Sequence, residues 1–171
     1  RSTVGRGVAQ LELGYTFSFD DAAGAETRSH SFPETLLRYG IAQDWMELRL
    51  GWNYVSASIN GLRTDGAEDL YLGAKFGLTA QDGFLPEMAL VPQLTVPAGA
   101  RALSSDRVSP GVNWLCGWDI NEFLSAGGST QLNRTLDDGT ADFYTEWAQS
   151  WTVGYSLTDR VGAYTEWSTF L

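Results

Sequence analysis

One cysteine and one histidine in 171 residues leave little room for several kinds of chemistry. Cys116 has no second cysteine with which to close a disulfide, and Cys116 with His30 cannot supply a zinc site at any familiar ligand spacing. Basic residues are scarce. Eleven Lys and Arg stand against 21 Asp and Glu, a net charge of -10, so the basic patches that hold phosphates are missing and no nucleic-acid partner is expected. No run comes near the roughly 18 consecutive apolar residues of a membrane-crossing helix. That leaves crossing strands open, since each needs only about 9 to 11 residues of alternating character. Helical runs of Lys, Glu and Ala are also missing. No signal-peptide pattern opens the sequence, and for an exported protein the leader is expected to have been removed.

What is present is aromatic, glycine-rich and alternating. Seven Trp, seven Tyr, eight Phe and 19 Gly are strand formers and residues that let backbones approach closely. The length suits a single domain over residues 1–171. In Glu68 to Leu78 (EDLYLGAKFGL), Leu70, Leu72, Ala74, Phe76 and Leu78 alternate with Asp69, Tyr71, Gly73, Lys75 and Gly77, which gives a strand one apolar and one polar face. The same reading predicts about nine strands. They lie at Ala9 to Phe19, Phe32 to Ile41, Met46 to Val55, Glu68 to Leu78, Glu87 to Val96, Pro110 to Ile120, Leu124 to Leu132, Phe143 to Leu157 and Val161 to Phe170. Pro92 cannot donate to a ladder and is expected at an edge, a bulge or a break. Gln149 is a misfit on an apolar face.

The connections alternate between short and long. Short turns fall at AQDW, TAQDG, INEF and LTDR, and the polar stretches DDAAGAET, INGLRTDGAE, PAGARALSSDR and NRTLDDGTAD read as longer loops. Asp44, Asp82, Asn121 and Asp159 in the short turns are spaced by 38, 39 and 38 residues. The repeating unit is two strands, one long loop and one short turn, which is an antiparallel meander with unlike ends.

Alternation alone suits a soluble barrel with its apolar face inside or a membrane barrel with that face toward lipid. Loop asymmetry, aromatics near both ends of the strands and glycines on the polar face favour the second. Trp45, Phe84, Trp118, Phe123 and Tyr155 lie near the short turns, and Tyr15, Phe17, Phe19, Trp52 and Tyr54 near the long loops. The expected fold is therefore all-β, an up-and-down transmembrane β-barrel meander in the outer membrane, with lipid as its partner. The segments EDLYLGAKFGL, LPEMALVPQLTVPAGA and LTDRVGAYTEW resemble blocks of the bacterial outer-membrane barrel transporters named for the meta-pathway of phenol degradation. That resemblance implies a membrane barrel and passive uptake of small, aromatic solutes. Such barrels are even-stranded, so nine strands ending at TFL lead to the expectation of a chain truncated from a barrel of about 10 to 12 strands.

On this reading Glu12, Glu34, Arg38, Glu47, Arg49, Asp69, Lys75, Glu87, Glu146 and Glu166 line the lumen. Acids outnumber bases among them, as in a conduit favouring cations or polar solutes, unless the charges simply pair and fill the interior. Lys75 is expected opposite or diagonal to Glu87 across the TAQDG turn. Arg38 and Arg49 are expected as neighbours with Glu47 between them. No cofactor or metal and no catalytic site is called for. The alternatives are a structural or adhesive barrel with a plugged lumen, an outer-membrane hydrolase, or a soluble ligand-binding barrel. For the adhesive barrel, Asp20, Asp21, Asp65, Glu68, Asp137 and Asp138 could hold divalent cations. For the hydrolase, Ser29, His30, Ser31 and Glu34 supply residue types, although alternation puts the serines and His30 on opposite faces. Asn133 opens an NRT sequon that carries no weight in a bacterial protein.

Overall fold

The computed structural model describes residues 3–22, 25–137 and 142–171. Among them every regular element is a strand, and eleven strands make one antiparallel sheet. The chain rises through β1 (Ala9–Ala22) and returns through β2 (Ala25–Gly40). Beside β2 lie β3 (Met46–Trp52) and β4 (Tyr54–Ile59), end to end.

 β3 spans Met46–Trp52, and only Asn53 separates it from β4. The chain then turns back through β5 (Leu62–Ala67) and β6 (Leu70–Thr79), also end to end, with β5 against β4 and β6 against β3. The meander continues through β7 (Glu87–Val96), β8 (Ser109–Asp119), β9 (Leu124–Leu136), β10 (Phe143–Thr158) and β11 (Val161–Phe170). The expected strands are all present, and the two additional segments are β4, which continues the third expected strand past a break at Asn53, and β5, which lies in the stretch expected as a loop.

Several expectations about loops are corrected. INGLRTDGAE is a hairpin and not a long loop, because Asn60 (φ 49°) and Gly61 (φ 83°) both adopt the left-handed region that a two-residue turn between right-twisted strands requires. The strands also continue into DDAAGAET and NRTLDDGTAD, where β1 reaches Ala22, β2 begins at Ala25 and β9 reaches Leu136. Residues 97–108 remain a true loop. Among the described residues β1 pairs only with β2 and β11 only with β10, so the sheet is open, with free edges at its first and last strands, in line with the expectation of an incomplete barrel.

Irregularities have local causes. Glu68 and Asp69 fall outside the strand expected to contain them: two residues between Gly51 and Tyr54 oppose three between Ala67 and Tyr71, and the surplus residue breaks the ladder. Asn53 fastens the two breaks together, its amide donating to Glu68 Oε2 (2.7 Å) and its carbonyl accepting from Ser31 Oγ (2.8 Å). Pro92 lies in an interior strand and not at an edge. The β6–β7 pairing is interrupted beside it, running to Gly73↔Gln93 and resuming at Phe76↔Leu90, as a residue without an N–H dictates. Gln149 is accommodated on the apolar face by accepting a hydrogen bond from Thr130 Oγ1 (2.5 Å).

The two faces of the sheet meet opposite environments. Glu47 (0% exposed) and Lys75 (2%) are among the most buried side chains, with Ala89 and Val91 beside them on the polar face. Leu13, Phe17, Leu48, Leu50, Trp52, Trp114, Trp151 and Trp167 on the other face are exposed. A single sheet encloses one face only by curling around it, and this one encloses its polar face. Replacing Gly61 by Ala forces a Cβ into the left-handed region and should lower stability by about 1 kcal/mol, read as a reduced thermal unfolding midpoint.

Candidate functional site

Antiparallel pairing places directly opposed residues on one face, so the register defines rows that cross the strands. One row on the enclosed face runs Gln10, Arg38, Arg49, Gly73, Gln93, Gly111, Asn133, Glu146. Every member is polar or glycine. The row toward the short turns includes Gly40, Glu47 and Lys75, and further along it Val91, Asn113 and Gln131. Two rows beyond Val91 lie Glu87, Gly117, Gly127, Thr152 and Glu166.

The charged members converge on Glu47. Its Oε1 accepts from Arg38 Nε (3.0 Å) and Arg49 Nε (2.7 Å), and its Oε2 accepts from Arg38 Nη2 (2.9 Å) and the Val4 amide (2.9 Å). Arg38 reaches on through Nη1 to Glu12 Oε1 at 3.0 Å. The Val4 contact exists because residues 3–8 cross the enclosed face, held by Gly7 N–H to Gly40 O (2.8 Å) and Gly40 N–H to Val8 O (3.0 Å). Gly40 permits that crossing, since a Cβ there would overlap the Gly5 carbonyl. Arg38 and Arg49 are thus neighbours with Glu47 between them, as expected. Lys75 is different. Its cross-strand neighbour is Glu47, and Glu87 lies four residues along β7 from the position facing Lys75, so the two are not opposite or diagonal in the ladder as expected, although Glu87 stands near enough to act on the Lys75 charge. The connection is longer than the tight TAQDG turn assumed: β6 ends at Thr79, which faces Met88, and β7 begins only at Glu87.

Toward the long loops the polar row becomes a chain of hydrogen bonds. Tyr71 Oη donates to Gln93 Oε1 (3.2 Å), Gln93 Nε2 to Asn133 Oδ1 (3.0 Å), and Asn133 Nδ2 to Glu146 Oε1 (3.3 Å). Gln93 and Asn133 meet across β8 only because Gly111 stands between them; a Cβ there would overlap Asn133 Oδ1. Above this ladder lies a cavity of about 590 Å³, bordered also by Asp69, Thr95, Leu103 and Ser105. Loop 97–108 borders it as a strap. Asp69 Oδ1 accepts from the Gly99 amide (3.1 Å), and Oδ2 from the Ser105 amide (2.9 Å) and Ser105 Oγ (3.0 Å). Burial works to raise the Asp69 pKa, but hydrogen bonds from Ser104, Ser105 and the two amides outweigh it and hold the carboxyl below its usual range.

The remaining expected residues are dispersed. Glu34 lies against Gly14 and borders a smaller hollow with Asp69 and Tyr71. Glu87 borders another near Asp44 and Trp45, and Glu166 faces Thr152 across the β10–β11 ladder. His30 Nδ1 is 2.9 Å from Tyr15 Oη, whereas Ser31 turns to Asn53 on the other face. Asp65 pairs with Arg63 and Glu68 with Asn53; Asp138 lies outside the described residues. No group of three or more His, Cys, Asp or Glu able to hold a metal ion occurs among the described residues. Tyr71, Gln93 and Asn133 were missed as site residues. Their polar-face positions were legible, but the glycine that lets two of them touch across a strand was not.

Glu47→Gln leaves clustered cations without their shared anion and should cost about 3–5 kcal/mol, whereas Glu12→Gln, at a more exposed position, should cost about 1 kcal/mol or less. Thermal unfolding of the two variants separates them. Because the Asp69 pKa is lower folded than unfolded, its contribution is fully present above the unfolded value and is lost as pH falls through the folded one. Acidification through that window should release the strap and accelerate hydrogen exchange at the Gly99 and Ser105 amides; exchange unchanged by acid would contradict it.

No curated protein and no solved structure matches the chain. A family description does, over residues 1–171, in agreement with the resemblance of its strand blocks. The chain belongs to the family described as "Putative MetA-pathway of phenol degradation".

Proposed function

We propose that the chain forms the wall of an outer-membrane β-barrel that passes small solutes by passive uptake and does no chemistry on them. The observation that carries this reading is the inversion of the sheet: Glu47 and Lys75 are enclosed while rows of Leu, Phe and Trp are exposed. In water that arrangement leaves a large apolar surface uncovered and encloses charge, both unfavourable. In a bilayer the same apolar face is solvated by lipid, and strands such as β6, with 10 residues, match the hydrocarbon thickness. Exposed aromatics near both strand ends, among them Trp45, Phe84, Phe123, Phe17 and Trp52, suit the two headgroup levels. The reading requires the β1 and β11 edges to be joined, directly or through further strands. The family's description, with its reference to phenol degradation, supports small aromatic compounds as the solutes.

A plugged, structural barrel is the second reading, favoured by residues 3–8 lying across the enclosed face over Glu47. Conductance of the purified protein in planar bilayers decides between them: stepwise ion currents support the conduit, and their absence supports the plug.

Leu48→Arg separates membrane from water as the solvent of the apolar face. Leu48 faces Ala74, near the middle of β6. In lipid the substitution should cost about 2–4 kcal/mol and reduce folding into vesicles. At an exposed position in water it should change stability by about 0.5 kcal/mol or less, an outcome that would sink the membrane reading.

A further inference from the structure

Arg28, Arg63 and Arg134 stand on the exposed face toward the long loops, and they differ in what they meet. Arg28 pairs with Glu26 (2.5 Å) and Arg63 with Asp65 (2.8 Å). The Arg134 guanidinium instead lies 4.7 Å from the centre of the Phe143 ring, and that of Arg107, from the strap, lies 5.5 Å from the same ring. Among the described residues neither is in an ion pair. A ring face attracts a cation without neutralising it. Asp137 and Asp142, next along the ladder beyond Leu136 and Phe143, alternate to the other face. Two guanidiniums therefore share one ring, without a carboxylate, in a chain of net charge -10.

Beside them the exposed face is hollowed. Arg134 faces Thr145, one pair beyond the exposed Leu132 and Trp147. A hollow of about 290 Å³ is bordered by Pro110, Val112, Leu132, Arg134 and Thr145. A second, of about 460 Å³, adjoins it at Pro110 and Gly111 and extends to Leu72 and Leu94. Together they make an apolar trough with a free guanidinium at one end. Val112 and Leu132 lie nearer the middle of their strands than Arg134, so the cation stands at the rim and the trough toward the bilayer interior.

We propose that this part of the exposed face binds a phosphate-bearing lipid, its phosphate on Arg107 and Arg134 and an acyl chain in the trough. The proposal rests on the membrane reading and deepens it by naming one lipid class that the apolar face selects. The planar guanidinium matches phosphate oxygens with two parallel hydrogen bonds. Arginine on a lipid-facing surface is tolerated where its head reaches headgroup level, which the end of a crossing strand provides. Arg28 and Arg63 stand at the same end, but each already has an anion.

Three probes separate the parts of the ligand: phosphatidic acid, diacylglycerol with the same chains, and glycerol 3-phosphate. Titrated into the full chain in neutral detergent and read by native mass spectrometry, phosphatidic acid should bind about tenfold more tightly than either fragment. Arg107→Gln with Arg134→Gln should bring phosphatidic acid down to the level of diacylglycerol, and Arg63→Gln should change nothing. All three positions are exposed, so the variants should fold. Val112→Trp, which fills the trough, should weaken both lipids and spare glycerol 3-phosphate. A preference for phosphatidic acid that survives loss of both arginines, or equal binding of the two lipids, overturns the site. Glycerol 3-phosphate binding as tightly as phosphatidic acid overturns the lipid in favour of free phosphate. The membrane reading is decided separately by Leu48→Arg: a chain that folds into vesicles and shows no preference for phosphatidic acid keeps that reading and loses the site.

Discussion

Arg38, Arg49 and Lys75 sit on neighbouring strands of the enclosed face, and the carboxylate between them, Glu47, has no access to solvent. Ionised groups withdrawn from water are tolerated only when paired and fully hydrogen-bonded, so this cluster constrains everything near it. Both Glu47 oxygens must be satisfied together, which requires the registers of β2 with β3 and of β3 with β6 to be correct at once. A slip of one residue would send Glu47 to the apolar face. The same requirement recruits residues outside the sheet: the Val4 amide completes Glu47, and the crossing segment that carries it needs Gly40.

A second group of interactions works on the same principle toward the long loops. Breaks in two adjacent ribbons fall side by side and are fastened by Asn53, which frees Asp69 from the ladder and lets it bind the strap. The polar ladder from Tyr71 to Glu146 then spans five strands, β6 to β10, through side chains, with glycine at the one position where a side chain would interrupt it. Ion pairs cluster toward one end of the enclosed face, and hydrogen bonds between carboxylates and neutral groups toward the other, although composition alone shows only an excess of acids. A count of acids and bases is therefore a poor guide to what a solute meets, because several of the acids are consumed internally.

Period-two alternation was enough to identify the strands, their order and the polar face, since side chains on a strand can point only two ways. It also brought Arg38, Arg49 and Glu47 together, because a short turn leaves few registers open. It failed where the ladder was not regular. Placing Lys75 opposite Glu87 assumes a tight turn at TAQDG, whereas β6 ends at Thr79, β7 begins at Glu87, and Thr79 faces Met88 across the longer connection. The Asn60 and Gly61 hairpin signal was present in INGLRTDGAE but was read as loop because of its polarity.

Alternation and turn chemistry are local properties of the chain, and they suffice for an all-β antiparallel meander with one apolar and one polar face. Which face is enclosed, that Glu47 faces Lys75, and that a loop folds back onto Asp69 beside a cavity bordered by Gln93 and Asn133 follow from the folded sheet alone. The physical reason is distance along the chain. Bulges shift register by single residues, and contacts such as Gln93 with Asn133, 40 residues apart, depend on the accumulated register of every ribbon between them.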